Sequence, residues 1–170
     1  MDADTAALEE LGRRLWDERR VVTHLLYKLT VTNLLLAADE RRFVPDSLRE
    51  VETTVELLRE GEVRREDAVR DLAGRWQIEP DQLTLDELAR WAPAPYDHTF
   101  ADHRDAFRRL AEEVDATAQQ NRELAVAEID EVRTRIDQIT GVDRSTSTTY
   151  DASGQVEAAP AIGGRLREAL

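Results

Sequence analysis

The chain has 170 residues, of which 41% are apolar, 35% charged and 5% aromatic, and its formal net charge is −13. So acidic a surface excludes general binding to nucleic acid or anionic membrane, both of which require a basic face. The absence of cysteine excludes disulfides, thiolate nucleophiles and cysteine-based metal sites.

Few aromatics combined with abundant Leu, Ala, Glu and Arg favour long helices over sheet. The opening residues, Met1-Asp2-Ala3-Asp4, are acidic with no apolar stretch behind them, so no secretory signal is read. The longest strongly apolar run, residues 34–38, falls far short of the roughly 20 residues of a membrane span. Cytoplasm is therefore the expected location, without membrane insertion.

Leu8, Leu11, Leu15, Val22, Leu25, Leu29 and Leu36 recur in steps of three and four, with Glu18 and Thr32 as gaps. The spacing predicts an amphipathic helix from residue 4 to about residue 43, its apolar face widened by Leu26, Tyr27, Leu34 and Leu35. Pro45 is expected to end it, with Asp46 or Ser47 capping the next helix. That second helix carries Leu48, Val51, Val55, Leu58, Val69 and Leu72, is very polar over 59–70, and has Gly74 near its end.

Residues 75–97 read as a connector anchored by Ile78, Leu83, Leu85, Leu88 and Trp91. Within it, Thr84-Leu85-Asp86-Glu87 sets a hydroxyl three residues before an acid. This is a capping-box pattern that predicts a short helix over 84–91, ended by Pro93 and Pro95. A last helix is predicted from near His98 to about Thr140. Its stripe is Phe107, Leu110, Val114, Ala118, Asn121, Ala125, Ile129, Val132, Ile136 and Ile139, and Gly141 is its natural C-cap.

Residues 141–170 change character. Ser145-Thr146-Ser147-Thr148-Thr149, Ala158-Ala159-Pro160 and Gly163-Gly164 surround six large apolar residues, Val142, Tyr150, Val156, Ile162, Leu166 and Leu170. Six are too few to offset the entropy of ordering such a segment. The expected fold is all-α: an elongated antiparallel three-helix bundle over 1–140 with a short connector helix, and a flexible C-terminal tail over 141–170.

Candidate chemistry is sparse. Asp97, His98, Asp102 and His103 form the best local cluster, but His98 and His103 are five apart and do not align on one helical turn. A polar first helical turn, with its acids favoured by the helix dipole, accounts for them. No His has Glu three positions before it, as a di-iron bundle requires, and phosphate-loop and nucleophile-elbow patterns are absent. No catalytic, cofactor or metal residue is assigned, and no enzyme is expected. Arg13-Arg14 and Arg19-Arg20, surrounded by Glu9, Glu10, Asp17 and Glu18, read as an ion-paired face. Trp16, Trp76 and Trp91 read as core or edge anchors. Asn121 has two readings: a buried polar residue that fixes register, or a neighbour of a partner surface.

Three segments, in this order and spacing, carry a resemblance to the FlgN-type flagellar export chaperones, actinobacterial members in particular. Thr84-Leu85-Asp86-Glu87-Leu88-Ala89 is similar to the family's connector. Gln120-Asn121-Arg122-Glu123-Leu124 is similar to its "asn-x-x-leu" stretch, and Thr149-Tyr150-Asp151-Ala152-Ser153-Gly154-Gln155 to its "tyr-x-x-x-gly-gln" signature. Leu15-Trp16-Asp17-Glu18-Arg19 and residues 25–36 add to the likeness, which spans nearly the whole chain. Asp151 departs from the family, where Gly or Asn is frequent, although Asp tolerates turn positions.

The resemblance implies a cytosolic chaperone that needs no cofactor and is monomeric when free. Such a chaperone binds the C-terminal regions of hook–filament junction (hook-associated, FlgK- and FlgL-type) proteins, prevents their premature assembly and delivers them to the FlhA-type gate of flagellar type III export. It assigns cargo binding to the later part of the last helix and the tail, here Asn121, Leu124, Ile129, Val132, Ile136, Ile139, Ile162 and Leu166. It assigns export-gate docking to the signature, here Tyr150, Asp151, Gly154 and Gln155. From the residues alone, the isoleucines either pack on the first helix or form a helix-in-groove surface for a guest. The first helix's stripe equally allows a self-associating coiled-coil scaffold without an export role.

Overall fold

A computed structural model describes residues 3–140, and all regular structure among them is helical: α1 (Ala3–Ala37), α2 (Val44–Trp76), α3 (Leu85–Trp91) and α4 (Tyr96–Thr140), with 3-10 turns at Arg41–Phe43 and Pro80–Gln82. The chain falls into two compact units, residues 1–128 and 129–170, and the division falls within the sequence of α4. The helical bundle is the first unit. The flexible tail expected over 141–170 lies outside the described residues.

The helix ends differ from the expectation in an instructive way. α1 stops at Ala37, because Asp39 adopts a left-handed conformation (φ 56°). The Glu40 N–H then donates to the Leu35 carbonyl (2.9 Å) and the Asp39 N–H to the Leu36 carbonyl (3.1 Å). These two bonds satisfy carbonyls that a helix C-terminus would otherwise leave orphaned. Pro45 does not end α1; it sits in the first turn of α2, where a missing N–H costs nothing. Neither Asp46 nor Ser47 caps α2: the N-cap is Phe43, without a side-chain cap. Instead, Ser47 is buried, its hydroxyl 2.7 Å from that of Thr32. α2 runs past Gly74 and ends as α1 does, with Gln77 at φ 56° and the Ile78 N–H on the Ala73 carbonyl (3.1 Å). The predicted cap of α3 is present in its forward half, the Thr84 hydroxyl accepting from the Glu87 N–H at 3.3 Å.

Cross-links give the helix directions. Glu18 meets Arg65, Lys28 meets Glu50 and Thr32 meets Ser47, so α2 runs antiparallel to α1. The Tyr96 hydroxyl donates to Glu9 (3.2 Å), the Trp16 and His103 rings lie 5.2 Å apart, and the Asn121 amide donates to the Leu29 carbonyl (3.0 Å). α4 therefore runs parallel to α1 and antiparallel to α2, the up-down-up order that short connections produce.

The large buried side chains gather where α1 and α4 begin and α2 ends: Leu8, Leu11 and Leu15 of α1, Leu72 of α2, Leu83 and Leu88 of the connector, and Phe100 of α4. Each is worth about 1.5–3 kcal/mol of hydrophobic burial. Further along, the α1–α2 seam becomes polar or small. Glu18 and Thr32, the two gaps in the α1 stripe, are buried, and so are Ser47, Thr54 and Gly61 of α2. The predicted large residues of α2 flank this seam; Leu48 is exposed, and Val51, Val55 and Leu58 are half-buried.

His103 departs furthest from the sequence reading. It does not belong to a polar turn. It is 1% exposed, edge-on to Trp16 and beside Phe107, with neither ring nitrogen hydrogen-bonded. Burial, reinforced by Arg19, lowers its pKa below the ordinary value, with Asp102 opposing weakly. The unfolded chain thus takes up this proton more readily than the folded one. The histidine's destabilising effect is absent well above about pH 6.5 and grows as pH falls through that value. Thermal melts between pH 7.5 and 5.5 are expected to show a larger loss of Tm for the wild type than for His103→Leu. Parallel losses would contradict this account. Gly12 lies well inside α1, and nothing stands within 4 Å of where a Cβ would be. Gly12→Ala is therefore expected to raise stability by about 0.5–1 kcal/mol, read from the urea midpoint.

Candidate functional site

The residues assigned to partner binding fall in three places. Asn121 and Leu124 belong to the bundle and are half-buried. The Asn121 amide nitrogen bonds to the backbone of α1, at Leu29, and its side-chain oxygen is buried without a hydrogen-bond partner. In this position the side chain locks the axial register of α4 against α1. The sequence offered this role alongside a partner-facing one.

Ile129, Val132, Ile136 and Ile139 lie in the second unit. Steps of three, four and three place them along one helix face. Their exposures are 52%, 40%, 52% and 84%. Most intervening positions are charged, and among them Arg133 pairs with Asp130 at 3.7 Å and Arg135 with Glu131. The segment is amphipathic, with a strongly charged face opposite aliphatic side chains that water still reaches. Ile162, Leu166, Tyr150, Asp151, Gly154 and Gln155 lie outside the described residues.

The structure separates the histidine cluster. His98 is exposed, with Nε2 4.0 Å from Asp97, while His103 is buried among aromatics. Among the described residues no group of three or more His, Asp and Glu is placed to hold a metal ion, and no helix is long and apolar enough to cross a membrane. Three arginines of the α1 patch are ion-paired or stacked: Arg13 and Arg14 both meet Glu10, and Arg19 lies over the Trp16 ring at 5.0 Å. Trp76 packs against the core, whereas Trp16 and Trp91 are more than half exposed.

One feature escaped the sequence reading. Between α1, α2, the connector and α4 lies a cleft of about 220 Å³, lined by Leu15, Val69, Leu85, Leu88 and Phe107 together with Glu18 and Arg65. Glu18 Oε2 accepts from Arg65 Nε at 2.8 Å. Burial raises the Glu18 pKa above the usual carboxylate value, Arg65 opposes the rise, and Glu62 and Glu66 add to it. The one signal in the sequence was the break in the leucine stripe at Glu18.

Searches among curated proteins and among solved structures found no match. The model of the family described as FlgN protein matches residues 1–158, nearly the whole chain and all three segments singled out above. A continuous match of that extent, over a chain whose described residues are all helical in their regular structure, shows that the chain belongs to the FlgN family of flagellar export chaperones.

Proposed function

We propose that this protein holds the C-terminal regions of hook–filament junction proteins in the cytoplasm and delivers them to the gate of the flagellar type III export apparatus. Family membership supports the chaperone role. The observation that carries cargo binding is the stripe Ile129, Val132, Ile136 and Ile139, aliphatic and 40–84% exposed on a segment whose other positions are mostly charged. A guest helix or an extended segment that covers it gains apolar burial without displacing any charged pair. The reading involves no catalysis and no cofactor.

The magnitudes bear on how much of the chain takes part. Covering four aliphatic side chains that are already partly buried is worth about 3–6 kcal/mol, and association itself consumes at least about 4 kcal/mol. Even with no cost of association, about 4 kcal/mol corresponds to a dissociation constant near 1 mM. The helix stripe alone is too small for stable capture. Asn121 and Leu124, where α4 can meet a guest, and Ile162 and Leu166 are assigned to enlarge the contact, and a segment that orders on binding covers a large surface. Tyr150, with Asp151, Gly154 and Gln155, is assigned to the export gate. The scaffold alternative loses its main seam, because Leu8, Leu11, Leu15 and Leu25 of α1 are already buried within the chain.

Removal of residues 141–170 is expected to leave the helicity of the remaining chain intact, by circular dichroism, and to abolish co-purification with hook-associated cargo. Full retention of cargo would refute a role for the tail. Tyr150→Ala is expected to keep cargo but weaken docking of the loaded complex on the gate protein, measured by pull-down with the gate's cytoplasmic domain. Unchanged docking would remove Tyr150 from that role.

A further inference from the structure

A second opening, of about 420 Å³, lies between α1 and α4 within the first unit, and its lining includes Trp16, Arg19, Asp102, His103, Asp105 and Arg109. None of these residues is among those assigned to cargo or to the export gate. We propose that this opening is a docking site for a carboxylate side chain of a polypeptide segment, held between Arg19 of α1 and Arg109 of α4.

The two guanidiniums supply the first argument. Neighbouring arginines are spent on carboxylates: Arg13 and Arg14 on Glu10, Arg104 on Asp86 and Asp105, and Arg108 on Asp86. Arg19 and Arg109 are not, although the chain has 36 acidic side chains against 23 basic ones. Among the described residues neither of the two is bonded to a carboxylate; Arg109 acts on Asp105 through charge alone, without a hydrogen bond. Arg19 is half-buried, with its guanidinium over the Trp16 ring at 5.0 Å. A guanidinium stacked in this way keeps its in-plane N–H donors available, and its planar fork matches a carboxylate in two-point contact. The stacking also fixes the group in advance, so less side-chain freedom is lost when it binds.

The rest of the lining selects the kind of anion. Asp105 is bonded to Arg104 at 2.8 Å, whereas Asp102 is exposed and has no ion-pair partner among the described residues. The unspent charges of the pocket are therefore two positive and one negative. That balance accepts a single negative charge and opposes a dianion such as phosphate. A carboxylate carried on a polypeptide also brings backbone N–H groups, which the Asp102 carboxylate can accept. The rings of Trp16 and His103, 5.2 Å apart, wall part of the pocket and keep water from one side of the contact. The nitrogens of His103 are buried and take no part in the grip. Partly exposed charge contacts of this kind confer specificity more than affinity.

The test uses the full-length chain, isotope-labelled at its tryptophan indoles and titrated at constant ionic strength with N-acetyl-Ala-Glu-Ala-amide, N-acetyl-Ala-Gln-Ala-amide and inorganic phosphate. The Glu peptide is expected to give a saturable shift of the Trp16 indole signal. It should bind at least about five-fold tighter than the Gln peptide, the scale of one or two partly exposed ion pairs, and tighter than phosphate. Arg109→Gln, at an exposed position, should cut that preference at least about two-fold. Arg19→Gln combined with Arg109→Gln should bring the two peptides within about two-fold of each other, with helicity retained. Arg108→Gln removes the same charge from the adjacent position, outside the lining, and should leave the preference intact. Absence of a saturable shift, equal affinity for the two peptides, or tighter binding of phosphate would each overturn the proposal. So would a preference that survives the arginine substitutions in the pocket, or one that Arg108→Gln removes as well. Because cargo capture is read separately by co-purification, failure here leaves the chaperone reading standing.

Discussion

Packing of the first turns of α1 against Phe100, Leu72 and Leu88 is the contact from which the rest of the bundle takes its place. It joins the start of α1, the end of α2, the connector and the start of α4 at one level. With these ends fixed, the remaining length of each helix needs only enough contact to stay aligned. The side chains fit this division of labour. Large leucines and a phenylalanine fill one end. Past Leu15 the α1–α2 seam is made by Glu18 with Arg65, by Thr32 with Ser47, and by Thr54 and Gly61. Small residues let two helices approach closely without adding much apolar area.

The polar seam adds selectivity more than stability. A buried ion pair barely offsets its own desolvation, and burial, joined by Glu62 and Glu66, raises the Glu18 pKa against the pull of Arg65. Any slip of α2 along α1 would nevertheless leave Glu18 buried without its partner, and such a group is costly. Thr32 works in the same way through Ser47. These are the positions where the apolar stripe of α1 is interrupted. The interruptions mark the residues that hold the two helices in register.

The long elements and their order were legible because a stripe with steps of three and four, sustained over ten or more residues, fits a helix and little else. The Thr84 cap was legible for a similar reason, as a hydroxyl and an acid at the right spacing. The ends of α1 and α2 were not, since Asp39 and Gln77 take the left-handed conformation that sequence rules reserve for Gly or Asn. Pro45 has two opposite uses at a helix boundary, and only the position of the preceding turn decides between them. His103 extends the α4 stripe back from Phe107 by four residues, and Phe100 by three more. Histidine's polarity hid that continuation. The isoleucines were legible as a stripe; their exposure was not, because periodicity does not record which face is occupied. The cleft depends on three helices and a connector meeting, and no single segment carries its signature.

The bond from Asn121 to the Leu29 carbonyl has a mechanical consequence. It ties a side chain of one helix to the main chain of another. A tug along the axis of α4 within the bundle is therefore passed to the α1 backbone as shear. Sliding by a single residue, about 1.5 Å, would lengthen and tilt the bond. Axial slip of α4 within the bundle is thus opposed at the level of Asn121 and Leu29.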